Sequence, residues 1–181
     1  MVCPQQLAPA PGLAPVRSEA GAMSPQVSLI VACRPGAQLA LGPVETGLAE
    51  LVRVEGANVS QQRNLGVGQA SGELLWFLDD DSQFGPETLR LGLEIMRAHP
   101  DCAAAGGPSL TRSRAGFEER VFGAVMGSWF AALSTWARHR AVGPARFAEG
   151  TELITSNLLV RREWLEKVGG FDLSLYPGED I

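Results

Sequence analysis

Apolar residues reach their highest density in two short runs, Val27–Cys33 (VSLIVAC) and Leu74–Leu78 (LLWFL). Both are too short for core helices and rich in β-branched or aromatic side chains, the mark of strands buried on both faces. Arg34-Pro35-Gly36 closes the first run as a turn. Glu50–Glu55 (ELVRVE) alternates apolar and polar residues and predicts a strand with one buried face. Between them, Ala37–Ala49 is weakly helical and interrupted by Gly42 and Pro43.

Helical spacing governs much of the rest. Asn58–Ala70 predicts a helix with Asn58 as N-cap and Val59, Leu65 and Ala70 as its apolar positions, weakened by Gly66 and Gly68. Pro86 opens a helix running to about Ala98, with Leu89, Leu93 and Met96 inward and His99-Pro100 as its stop. Cys102–Gly107 can form a short strand. Phe122, Val125, Trp129, Leu133 and Trp136 recur at helical spacing across Phe117–Arg138 and predict one amphipathic helix whose aromatic stripe is core by default. Arg138, Arg140 and Arg146 leave a second use open, an interfacial helix over residues 117–140 that meets anionic headgroups at a membrane or a phosphate. Leu153–Val160 reads as a strand, and Arg162–Val168 as a short helix closed by Gly169-Gly170. Strands alternating with helices place the chain in the α/β class, with a mostly parallel sheet joined by crossovers.

Composition narrows this picture. With 181 residues, 45% of them hydrophobic, the chain can bury one sizeable core. Met1–Gln26, rich in Pro, Ala, Gly and Ser, has no periodic apolar pattern and reads as a disordered tail, with Met23 as an alternative start. Residues 27–181 then form the domain. A net charge of −5 gives no general attraction to nucleic acid. Cys3, Cys33 and Cys102 make neither a disulfide framework nor a zinc pattern, which fits a reducing, cytoplasmic compartment. His99 and His139 stand alone and receive no chemical role. No apolar run is long enough to span a membrane, so the expected location is the cytoplasm or the inner face of the membrane.

The chemistry concentrates in Gly72–Ser82, GELLWFLDDDS, where a buried strand runs straight into Asp79, Asp80 and Asp81. Open α/β sheets place ligands at the carboxyl edge of their strands. Clustered carboxylates there repel one another unless a cation neutralises them, and an oxygen-only set suits Mg²⁺ or Mn²⁺ bridging to substrate phosphates. Helix capping and solvated loop charge are the plain alternatives. A nucleotide-binding P-loop is absent.

VSLIVAC, QRNLGVGQASGE (Gln62–Glu73), FLDDDS, NLLVRREWLEKVGGFD (Asn157–Asp172) and a terminal Glu179-Asp180 pair occur in this order. Together they resemble the family 2 glycosyltransferases of the GT-A fold over Val27–Ile181. The resemblance implies a Rossmann-like, mostly parallel sheet flanked by helices, incomplete at its C-terminal end. It also implies a nucleotide-sugar donor, metal-dependent inverting transfer, and a glycan or lipid-linked acceptor, as in cell-envelope polysaccharide or glycolipid synthesis. By position, Asp79 and Asp81 match the Asp-x-Asp pair, the first near the ribose and both within reach of the metal, with Asp80 as the variable middle residue. Arg63 and Asn64 match the pair near the nucleotide. The family's Val-Asp-Asp-Gly-Ser base-reading stretch is missing, and Glu55 is its nearest equivalent. Gly170 and Glu179 fall on the acceptor side, and Asp180 matches the catalytic base. Ending one residue after that base, the chain reads as a fragment whose own activity is in question. Two competitors stand beside this reading: a non-catalytic nucleotide-sugar-binding module, and a haloacid-dehalogenase-like phosphatase, against which the position of Asp79 after a later strand argues.

Overall fold

A computed structural model describes residues 26–39, 49–84, 86–112, 114–148 and 150–175. The expected tail (1–26, save Gln26), most of the weakly helical Ala37–Ala49 stretch, and Glu179 and Asp180 lie outside the described residues.

Five strands form one sheet in the order β2-β1-β3-β5-β4: β1 Val27–Cys33, β2 Ala49–Glu55, β3 Leu74–Asp79, β4 Ala104–Gly106 and β5 Asn157–Arg161. β1 pairs in parallel with β2 and β3, whereas β5 lies antiparallel between β3 and β4. All seven residues of β1 are buried because both faces of the sheet are covered. On one face Leu29, Val31, Trp76 and Leu78 pack against Leu89, Leu93 and Met96 of α2 (Pro86–Ala98), the stripe expected from spacing. On the other, Ile30, Val52, Val54, Leu75 and Phe77 meet Val67 of α1 (Val59–Gln69) and Leu165 of α5 (Arg162–Val168). Cys33 and Cys102 are buried and free, and burial pushes the Cys33 thiol up.

Helix α1 departs from its expected packing. Asn58 does cap it, accepting a hydrogen bond from the Gln61 backbone. The buried face, however, carries Ser60, Gln62, Arg63, Gly66 and Val67, while Leu65 is exposed. Gln62 compensates for its burial by donating to the carbonyls of Cys33 and Val54, both at 2.7 Å, which closes the ends of β1 and β2. Gly66, which weakens the helix on propensity alone, is the contact point: a Cβ there would lie 2.4 Å from Ile30 Cγ2.

Arg161 and Arg162 divide between the two faces as adjacent strand-end residues do. Arg161 donates to the carbonyls of Met96, His99 and Cys102 around the end of α2. Arg162 donates to Val67, Ala70 and Gly72 around the end of α1. Each places a guanidinium where a helix leaves its last carbonyls unsatisfied.

The single helix expected over Phe117–Arg138 is three pieces: α3 (Phe117–Met126), one turn of α4 (Trp129–Ala132) and a 3-10 segment Leu133–Arg138. The break falls at buried Gly127, where a Cβ would press on the Gly123 and His139 carbonyls, so the chain turns to let residues near 139 fold back. Nor is the aromatic stripe core. Phe122, Val125, Trp129 and Leu133 are exposed, and only Trp136 is partly buried. The last strand begins at Asn157, not Leu153, because residues 150–156 form a 3-10 turn and loop. Among the described residues no helix is long and apolar enough to cross a membrane.

Candidate functional site

The three aspartates sit at the carboxyl end of β3, beside the ends of β1 and β2 in a parallel register that pairs Ala32 with Asp79 and Cys33 with Glu55. A four-residue turn presents them. The Ser82 backbone donates to the Asp79 carbonyl at 3.1 Å, and Ser82 Oγ accepts from the Asp79 amide at 3.0 Å. Ser82 thus ties the turn at both ends.

Within that turn the aspartates separate by direction. Asp79 and Asp81 line an open cavity of about 570 Å³, walled also by Thr88, Arg112, Glu119 and His139. Asp80 is buried and points the other way, into Arg34. Arg34 donates through Nε (3.1 Å) and Nη2 (3.4 Å) to the two carboxylate oxygens, and its backbone amide adds a third bond at 3.3 Å. Hydrogen bonds from the Arg34 side chain hold the Asp80 carboxyl below the usual carboxylate range, against the opposing effect of burial.

Each aspartate therefore faces its own arginine. Arg63 Nη2 lies 3.5 Å from Asp79 and Arg112 Nη2 lies 3.7 Å from Asp81, while Arg112 also stands 3.7 Å from Glu119. These two contacts are looser than the fork on Asp80. The carboxylates they involve stay 44% and 65% exposed on the cavity, so water or a cation can reach them.

Arg63 and Asn64 are both present at the site's edge, in different roles. Arg63 is buried, outside the cavity lining, with its guanidinium 5.5 Å from the centre of the Phe171 ring. It reaches the rim through Asp79. The Asn64 amide is engaged at both ends with the Phe171 backbone, donating to its carbonyl and accepting from its amide, each at 2.8 Å. Gly169 and Gly170, at φ 84° and 83°, turn the chain out of α5 and deliver Phe171 to this clamp and to an edge-on contact with Phe77. Glu55 stands two strands from Asp79, about 10 Å at ordinary strand spacing, and is paired with Arg53 at 2.6 Å outside the cavity.

Four residues given no chemical role from sequence belong to this neighbourhood: Arg34, Arg112, Glu119 and His139. For Arg34 a signal existed, since an arginine directly after a strand that neighbours an acid-tipped strand is well placed to pair with it. For the others none did, because the cavity wall comes from the excursion between β4 and β5.

Among the described residues no three His, Cys, Asp or Glu side chains converge as a self-sufficient metal cluster. Mg²⁺ ordinarily needs only one or two carboxylates when substrate phosphates and water complete its shell. Asp79 and Asp81, accessible on one cavity, fit a cation shared with a phosphorylated ligand in that way.

A mostly parallel sheet flanked by helices, with a cavity over an acidic turn at its strand ends, defines a GT-A-like, Rossmann-like α/β domain. The chain belongs to glycosyl transferase family 2, whose family model matches residues 46–169. The match takes in Arg63, the three aspartates and Gly169, and supports glycosyl transfer as the chemistry of the domain. No curated protein matches the chain.

Proposed function

We propose that the cavity receives the diphosphate of a nucleotide sugar at Asp79 and Asp81 together with Mg²⁺ or Mn²⁺, and that the sugar passes with inversion to a glycan or lipid-linked acceptor. The observation that carries this reading is the shared cavity of Asp79 and Asp81, with Asp80 turned back onto Arg34. When bound, the cation neutralises charge on the departing nucleoside diphosphate. Arg63 positions Asp79, Asn64 holds the Gly170–Phe171 turn that leads toward the acceptor side, and Glu55 is the candidate for reading the base.

Asp180, with Glu179 beside it, supplies the base in this proposal. Its carboxylate takes the acceptor proton as the acceptor oxygen bonds to the anomeric carbon and the bond from that carbon to the diphosphate oxygen breaks. A single displacement of this kind inverts the centre. Free, buried Cys33 and Cys102 support a reducing, cytoplasmic compartment.

Calorimetry with UDP and GDP in the presence of Mn²⁺, followed by a transfer or donor-hydrolysis assay with and without chelator, tests the reading. Binding abolished by Asp79→Ala or Asp81→Ala is expected; binding that ignores both overturns it. The alternative is a nucleotide-sugar-binding module without turnover. Nucleotide binding with no transfer would select it. Family membership sets the phosphatase reading aside.

A further inference from the structure

Helix α3 is apolar on the side that faces away from the protein. Glu119, Phe122, Gly123 and Met126, at spacings of three and four, line the cavity. The other side carries Phe117, Val121, Ala124 and Val125 with Glu118 and Arg120 at its edges, and Phe117 is 82% exposed. A usual surface helix is polar across its solvent side, whereas here an exposed apolar stripe runs between the two charges. The apolar surface continues through Trp129, Phe130 (86% exposed) and Leu133. Trp129 and Phe130 meet edge to face, with ring centroids 5.5 Å apart, and the described chain leaves both exposed.

Charge follows the same segment. The segment from Arg112 to Arg146, both included, carries six arginines and two glutamates, in a chain whose net charge is −5. Arg112 and Arg146 are engaged in ion pairs and Arg138 donates to the Thr151 carbonyl, whereas Arg114 shortly before α3, Arg120 on α3 and Arg140 against Gly127 are exposed.

We infer that the α3–α4 surface seats on an anionic lipid bilayer, with Phe117, Trp129, Phe130 and Leu133 entering the headgroup boundary and Arg114, Arg120 and Arg140 meeting lipid phosphates. Exposed aromatics flanked by arginines are the combination that interfacial helices use. A second copy of the chain fits this surface less well, because a two-fold contact would gather two sets of these arginines into one seam, whereas an anionic bilayer supplies the opposite charge. Since α3 also walls the cavity, seating brings the cavity beside the bilayer, where a lipid-linked acceptor would lie. That last consequence rests on the proposed function; the seating itself does not.

Co-sedimentation with phosphatidylglycerol–phosphatidylcholine vesicles and with pure phosphatidylcholine vesicles, without nucleotide or metal, tests the inference. Binding to the anionic vesicles alone is expected, weakened by high salt. The double variant F117S/F130S should lose about tenfold or more in partitioning, and R114Q, R120Q and R140Q about fivefold each. Thermal unfolding of F117S/F130S should match the parent, because both side chains project from the surface. Absence of binding to anionic vesicles, partitioning indifferent to these substitutions, or a dimer in light scattering that F130S dissolves would each overturn the inference. None of those outcomes bears on nucleotide binding, so failure here and failure of the donor site remain distinguishable.

Discussion

Arg34 and Asp80, at the ends of neighbouring parallel strands, meet in a fork of two side-chain hydrogen bonds, with the Arg34 amide adding a third. The middle aspartate of the acidic turn is thereby fastened to the scaffold, and its two neighbours are left on the cavity.

This fastening makes stability depend on pH in a definite sense. The Asp80 carboxyl is held low in the folded chain, so its contribution is complete above the unfolded value of about 3.9 and is lost as pH falls through the folded value. Urea unfolding of the parent and Asp80→Asn should therefore differ by a constant amount from pH 7 down to about 5 and converge below about pH 4. A gap that stays constant down to pH 3 would contradict the assignment. Because the Arg34 side chain is exposed, solvent screening keeps the effect modest.

Metal and diphosphate should bind together or hardly at all. Two half-open carboxylates make a weak site for Mn²⁺ alone, and phosphate oxygens must supply the remaining donors. Electron paramagnetic resonance titration is expected to show Mn²⁺ affinity rising at least about tenfold when UDP or GDP is added, a coupling of ~1.4 kcal/mol, and Asp81→Ala should remove the gain. Tight Mn²⁺ binding without nucleotide would count against a shared site.

Arg112 stands beside Asp81 and Glu119 as a tethered positive charge. Replacing it with glutamine removes a competitor for the Asp81 carboxylate, and the same titration should show Mn²⁺ affinity rising about twofold to fivefold, the scale of an exposed ion pair. A fall in affinity would mean that Arg112 orders the acidic rim instead of competing for it.

Gly66→Ala should destabilise the fold although alanine is the better helix former by about 1 kcal/mol. Its added carbon would collide with Ile30 in a fully packed layer, at a cost of about 1–3 kcal/mol. Ile30→Leu, which removes the Cγ2 branch without changing the side chain's volume, should in the same background recover part of the loss in chemical denaturation, which unrelated damage would not allow.

Local pattern alone was enough for the sheet's centre and much of its cover. VSLIVAC and LLWFL announce strands hidden on both faces, Leu89, Leu93 and Met96 announce the inward side of α2, and Asn58 announces a cap, because each depends on periodicity or on neighbours a few residues away. Alternation along a strand end also foreshadows the separation of Asp79 and Asp81 from Asp80. Tertiary contacts decided the rest. The buried face of α1 is polar because Gln62 finds two strand-end carbonyls, and Arg63 is buried because Phe171 and Asp79 receive it. The stripe from Phe122 to Leu133 has a helical period that fits a core and an interface equally well, and only the break at Gly127 and the position of α3 against the cavity leave it outside. A period records which residues share a face; what that face meets is set by residues distant in the chain.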